Sequence, residues 1–195
     1  MTTALRPEQI KAREYFEQKG TRLPAAQVHE RVAAAVARLE ETLEGVSAAE
    51  ARRRPRPGEW SIHEVVDHLL ETHRPSIDEL RDLLAGRRPA GPPIPAGLLS
   101  ADPLGRAWPE LLAELRRLHA EALGVLAGAT DAIGLDARAP IVMVINAREP
   151  DGREVPVHWI EELDWKAYAV SAFRLHVLDH RSQVVKALDA ARGGA

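Results

Sequence analysis

His176 and His180 stand four residues apart, with Gln183 one turn further on. On a helix that spacing stacks three polar groups on one face. Their neighbours on the face are small or apolar: Ala169, Ala172, Val184 and Ala187. A histidine pair aimed at a core has two ordinary explanations, neutral buried imidazoles or metal ligands. A third histidine favours the metal, and the candidate is His68, in the run from Trp60 to Leu69 on a separate predicted helix. Two ligands from one helix and a third from a facing helix are a common way to build a site in a bundle. Three neutral imidazoles leave a divalent ion its full charge and at least one open position, the catalytic pattern rather than the closed structural one. Water there would have its pKa drawn from about 15.7 towards about 7, and a thiol could be held as thiolate. Nitrogen ligands suit zinc, nickel, iron or copper, and the choice stays open.

The other polar candidates divide by position. Gln183 either hydrogen-bonds within the site or fills the helical stripe. Glu64 reads as a cap rather than a base, because Ser61-x-x-Glu64 has the form of a capping box. His63 and His73 each lie five residues from His68, which turns them away from it, and they read as surface or packing. His119 falls on the apolar stripe of Trp108, Leu112, Leu115 and Leu126. It reads as a core histidine, with pocket lining or a fourth, site-closing ligand as the alternative. His158, beside Trp159, could overhang the mouth of the site. Trp60, Trp159 and Trp165 flank the ligand-bearing segments, either packing the bundle end or walling an apolar pocket. There is no Gly-rich phosphate loop, no Gly-x-Ser-x-Gly elbow and no Glu-x-x-His spacing of the di-iron bundles.

The elements that must position these residues are mostly helical. A short amphipathic helix is expected over 7–19, opened by Pro7 and stopped by Gly20. A second runs from Ala25 to Glu44 on Val28, Val32, Ala35, Val36, Leu39 and Leu43, with Gly45 after it. The third starts at Ser61 with a stripe of Ile62, Val66, Leu69, Ile77, Leu80 and Leu84, and Pro75 should kink or split it. The fourth is expected from Asp102-Pro103 to Gly128, and the last from Asp164 to Ala191. The stretch from Gly86 to Ser100 holds four prolines and three glycines. A link of that length suggests a crossover between neighbouring parallel helices. Ile141–Ile145 and Val155–Trp159, on either side of Glu149-Pro150-Asp151-Gly152, read as a β-hairpin with Pro156 at an edge. The sum is an all-α four-helix bundle with a long crossover, an extra N-terminal helix and a small hairpin before the last helix.

Composition narrows the function. With 195 residues, one domain over 1–195 is expected, an N-terminal helix over 1–20 and a bundle over 25–191. The chain has no cysteine, which rules out disulfides, thiolate zinc ligands and a cysteine nucleophile. A net charge of −3 offers no footprint for nucleic acid. The basic run Arg52-Arg53-Arg54-Pro55-Arg56 reads as a solvated loop. No apolar stretch approaches the roughly 20 residues that span a bilayer. No signal segment is evident at the start, so a cytoplasmic location is expected, with a small-molecule substrate, no nucleic-acid or membrane partner, and a homodimer left open.

Trp-Ser-x-x-Glu-x-x-x-His-Leu (Trp60 to Leu69), followed by His-x-x-x-His-x-x-Gln (His176 to Gln183), resembles the DinB/YfiT-like superfamily. The likeness spans roughly residues 25–190 and rests on the order and separation of the two motifs together. It implies a bundle of up-down-down-up type and one divalent metal on His68, His176 and His180. Many such relatives are assigned as metal-dependent hydrolases, and others as transferases or isomerases that use a low-molecular-weight thiol. The expected function is therefore a mononuclear metal-dependent hydrolase or thiol-dependent transferase, with zinc, nickel or iron as the ion. The alternative is a non-catalytic metal-binding or partner-binding bundle.

Overall fold

The computed structural model describes residues 5–148 and 151–193, so Glu149 and Pro150 of the expected hairpin turn lie outside the described residues. Helix α1 (Pro7–Phe16) has Pro7 in its first turn and passes directly into a wider, i→i+5 turn over Glu17–Thr21. Gly20 therefore does not stop the helix. It is buried against the last helix, where a Cβ would come within 2.7 Å of the Ala167 Cα. Close approach, not termination, is what the missing side chain permits.

Helix α2 (Ala25–Leu43) buries the expected face from Val28 to Leu43. Gly45 then takes a φ of 73°, a conformation that favours glycine. A short helix α3 (Ala48–Arg52) follows, opened by a capping box in which Ser47 accepts from the Glu50 N–H. Its signal, Ser-x-x-Glu, is the one that opens α4 (Ile62–Leu84) at Ser61. Pro75 does not split α4, which runs through it as one helix. Burial on α4 is wider than a single stripe and takes in His63, Asp67, His68 and His73. The cause is its position, since α5, the last helix and α3 all pack against it.

Helix α5 (Trp108–Ala127) starts later than Asp102-Pro103. The segment before it is a turn whose Pro103 and Arg106 carbonyls face the His63 ring at 2.8 and 3.1 Å. In this turn two carbonyls three residues apart converge on one imidazole, whereas in a helix both would point along the axis to the N–H groups four residues on. Strands β1 (Ala139–Arg148) and β2 (Glu154–Leu163) pair antiparallel from Ala139↔Leu163 to Arg148↔Glu154. Both are longer than expected, and Pro156 faces Asn146 in a two-stranded ribbon in which every strand is an edge.

The last helix opens as α6 (Trp165–Ala169), capped by the Asp164 carboxylate on the Lys166 and Ala167 N–H groups. It widens into an i→i+5 turn over Val170–Leu175 and continues as α7 (His176–Gly193). From Leu163 to Phe173 every residue is buried, so this helix threads the middle of the molecule. Such widened turns are frequent at functional sites, and this one ends at His176.

Contacts between the long helices follow a consistent order. Along α4 and α5 they rise together, Arg74 meeting Glu114 and Arg81 meeting Glu121. Between α4 and the last helix they run oppositely, Glu59 with Lys186, His68 with His176, Glu79 with Tyr168. Against α2, Trp108 reaches Val46 and His119 reaches Glu40, again in opposite order. Leu39, Leu69, Leu80, Leu111 and Phe173 lie in the common core. No helix among the described residues is long and apolar enough to cross a membrane.

Candidate metal centre

His68 on the first half of α4 meets His176 and His180 at the start of α7. The His176 Nε2 lies 3.0 Å from the His68 Nε2 and 2.9 Å from the His180 Nε2. One ligand atom from each ring falls within 4.8 Å of the others, the only such group among the described residues. Nitrogens about 2.05 Å from a tetrahedral ion stand about 3.3 Å apart, so these three need to open only slightly.

The outer nitrogens decide what the inner ones can do. The His68 Nδ1 is 2.7 Å from the Leu98 carbonyl, and the His180 Nδ1 is 3.0 Å from the Gln183 Oε1. Both partners are acceptors, so each Nδ1 carries the proton and each Nε2 turns a lone pair inward. His176 can offer one proton at most between two lone pairs. A divalent cation satisfies all three at once.

Electrostatics agrees. Burial pushes the pKa of His68 below its ordinary 6.5, against the opposing pull of the Leu98 carbonyl and the Asp67 charge. His176 is pushed well below 6.5, first by burial of its ring and then by His180, His73 and His68. The residue itself keeps some surface in solvent. Burial, then His68, brings His180 down to about 4. All three rings are therefore neutral at pH 7, as metal ligation requires.

Supports come from far along the chain. The buried Asp67 carboxylate accepts from the Ser100 N–H at 2.9 Å and its hydroxyl at 2.8 Å. That clamp fixes the end of the crossover and so keeps the Leu98 carbonyl over His68. Trp60 lies against two of the rings, stacked on His180 with centroids 6.3 Å apart and tilted on His68 at 5.0 Å.

A model of the DinB superfamily matches residues 22–167. The chain belongs to the DinB superfamily. That match takes in His68 and ends before His176 and His180. Solved structures that share the fold include two four-helix bundle proteins. YfiT from Bacillus subtilis, described as a probable metal-dependent hydrolase with an unusual four-helix bundle topology, is 17% identical with a TM-score of 0.54, over 94% of this chain and 90% of YfiT. TT2238, described as a four-helix bundle protein, is 18% identical with a TM-score of 0.52, over 83% of this chain and 98% of its own. No curated protein matches.

Within this DinB-superfamily chain the remaining candidates sort cleanly. Glu64 is the cap of α4, its Oε2 accepting from the Ser61 N–H at 2.8 Å while its Oε1 pairs with Arg54. Burial works against its charge, yet Ser61 and Arg54 hold its carboxyl below the usual range. Gln183 is exposed on α7 but bonds within the site. His63 and His73 are both packing residues, fully buried rather than on the surface. His119 lies outside the three-histidine group: its Nδ1 pairs with Glu40 at 2.8 Å and its ring packs on His73, 5.4 Å between centroids. The His73 ring in turn packs on His176 at 5.8 Å. This second layer of histidines went unseen in the sequence because His73 and His119 are 46 positions apart and belong to different helices. His158 is exposed on the outer face of β2, opposite Val144. Trp165 is core packing, while Trp159 bonds Glu161 on its own strand.

Proposed function

We propose that His68, His176 and His180 hold one divalent ion, zinc, nickel or iron. The chain is then a mononuclear metal-dependent enzyme, a hydrolase or low-molecular-weight-thiol transferase acting on a small molecule. The observation that carries this reading is the convergence of three Nε2 atoms, two of them fixed as lone pairs by Leu98 and Gln183. The bound ion would supply Lewis acidity, lowering the pKa of water or of a thiol brought to it. The chain has no cysteine, so any thiol arrives as a cofactor. The chain's own residues orient and insulate: Leu98 and Gln183 hold the rings, burial keeps them neutral, and Trp60 screens one side from water. The description of YfiT as a probable metal-dependent hydrolase points the same way. The order of interhelical contacts supports an up-down-down-up bundle in one domain, with α4 and α5 parallel across the crossover.

One observation favours a second reading. A groove adjoining the site is lined by Trp60 and Gln183 and not by the three histidines themselves. A metal closed off behind that layer would be a stabilising ion in a non-catalytic metal-binding or partner-binding bundle. Cobalt substitution tests the thiol-dependent part of the enzyme reading. Sulfur ligation of the ion should give an intense near-ultraviolet charge-transfer band on titration with glutathione, bacillithiol or mycothiol. A spectrum unmoved by all three removes the transferase, leaving hydrolysis or the stabilising ion.

The clamp on the crossover gives a prediction that needs no substrate. Asp67→Ala should weaken metal binding by about 10- to 100-fold, the usual effect of losing a group that orients a ligand. Competition with a chromogenic chelator measures it. Unchanged affinity would mean that Leu98 keeps its place over His68 without Asp67.

A further inference from the structure

A groove of about 350 Å³ runs over Pro55, Gly58, Glu59, Trp60, Gln183 and Lys186. Two of its residues touch the candidate metal ligands: Trp60 lies against His68 and His180, and Gln183 bonds His180. A molecule in the groove is therefore one side chain away from the ion. Its rim is charged. The Lys186 ammonium pairs with Glu59 at 2.8 Å, with side chains 58% and 35% exposed.

The arginine run beside the groove is not a uniform solvated loop. Arg52 donates to the Leu104 carbonyl at 2.6 Å, Arg53 to the Ala191 carbonyl at 2.9 Å, and Arg54 pairs with Glu64. These three guanidiniums are ties that hold the loop to α4, the α5 approach and the end of α7. Arg56 is different: it is exposed, and its side chain takes part in no hydrogen bond or ion pair among those of the described residues. Arg56 shares a turn with Glu59, its carbonyl accepting from the Glu59 N–H at 3.2 Å, and the Glu59 carboxyl is held below the usual range first by Lys186 and then by Arg56. Glu59 thus has a second cation in reserve. An incoming carboxylate can take Lys186 while Arg56 continues to compensate Glu59, and the three charges sum to +1.

We propose that this groove is the recognition subsite for the carboxylate of a flat, anionic small molecule, its body along Trp60 and its charge on Lys186, with Arg56 left to balance Glu59. The assignment rests on the enzyme reading, and it names the substrate class for that site. The probes are 2-naphthoate and its neutral isostere 2-naphthamide, titrated into metal-free protein from which the chelator has been removed. The Trp60 indole N–H resonance reports binding. Naphthoate should bind about fivefold tighter than naphthamide, the scale of a partly exposed ion pair. The Lys186→Met, Arg56→Gln double variant should lose that preference while taking up metal as wild type does. Equal or absent binding of the two probes, or a preference that survives in the double variant, overturns the proposal. So does a preference that appears only once metal is restored, since the carboxylate would then sit on the ion. Failure of the metal reading has its own signature, which is no metal uptake by a wild type that still prefers naphthoate.

Discussion

Alanine at both His176 and His180 is expected to abolish stoichiometric metal. Wild-type protein purified without affinity tag or chelator should carry about one ion per chain, and the double variant less than about a tenth of that. Two of the three converging nitrogens leave together, and the remaining His68 Nε2 is a single ligand with no chelate. The fold should survive. Alanine is the strongest helix former, and α7 remains anchored by Val177, Val184, Ala187 and Leu188. A chain of this size buries enough apolar surface to fold without a staple. Helical circular dichroism should therefore match between the two proteins. Metal stabilises only by binding the native state, by about 4 kcal/mol at a thousandfold excess over the dissociation constant. Chelation should lower the melting temperature of wild type and leave that of the double variant where it was. Equal metal in both proteins would reduce the three rings to packed core histidines.

What could be read ahead of the structure was local. His176, His180 and Gln183 lie within two turns of one helix, and Ser61 with Glu64 lies within one. In each case the spacing alone sets the geometry. The Ser47-x-x-Glu50 box carried the same signal as Ser61 and marked α3, but five helical residues give no stripe to draw attention. Features that depend on distant partners left no such trace. Nothing in the residues around Asp102 and Pro103 shows that their turn is held by an imidazole some 40 positions earlier. The supports of the site share that character: Leu98 over His68 and Asp67 on Ser100 join α4 to a crossover whose prolines and glycines identify only what it is not. The arginine run looked uniform because composition does not distinguish a guanidinium that ties two elements from one left free. Pro75 stayed inside α4 although its ring disfavours the helix interior, as packing around a central helix outweighs local preference.

Gly20 offers the sharpest contrast between local preference and packing. In a helical setting, replacing an exposed glycine by alanine gains about 0.8 kcal/mol from backbone entropy. Gly124, exposed on α5 with nothing within 4 Å of the Cβ it lacks, should follow that rule. Gly20 should reverse it. A Cβ there would stand 2.7 Å from the Cα, 3.1 Å from the N and 3.2 Å from the Cβ of Ala167. Ala167 belongs to α6 and is buried, so the clash falls on backbone that cannot move by a rotamer change. Overpacking of this kind costs about 1–3 kcal/mol. Gly20→Ala should lose about 2 kcal/mol, or about 4–8 °C in melting temperature for a chain of this length. Gly124→Ala should instead gain about 2–3 °C. The cost at Gly20 follows from what the arm does: Thr21 donates to the Asp164 cap at 2.6 Å and Arg174 donates to Tyr15 at 2.7 Å, so the segment from Tyr15 to Thr21 seats the helix that carries His176 and His180. A rise in both variants would show that the arm moves aside for one carbon, and that the ligand-bearing helix keeps its place without it.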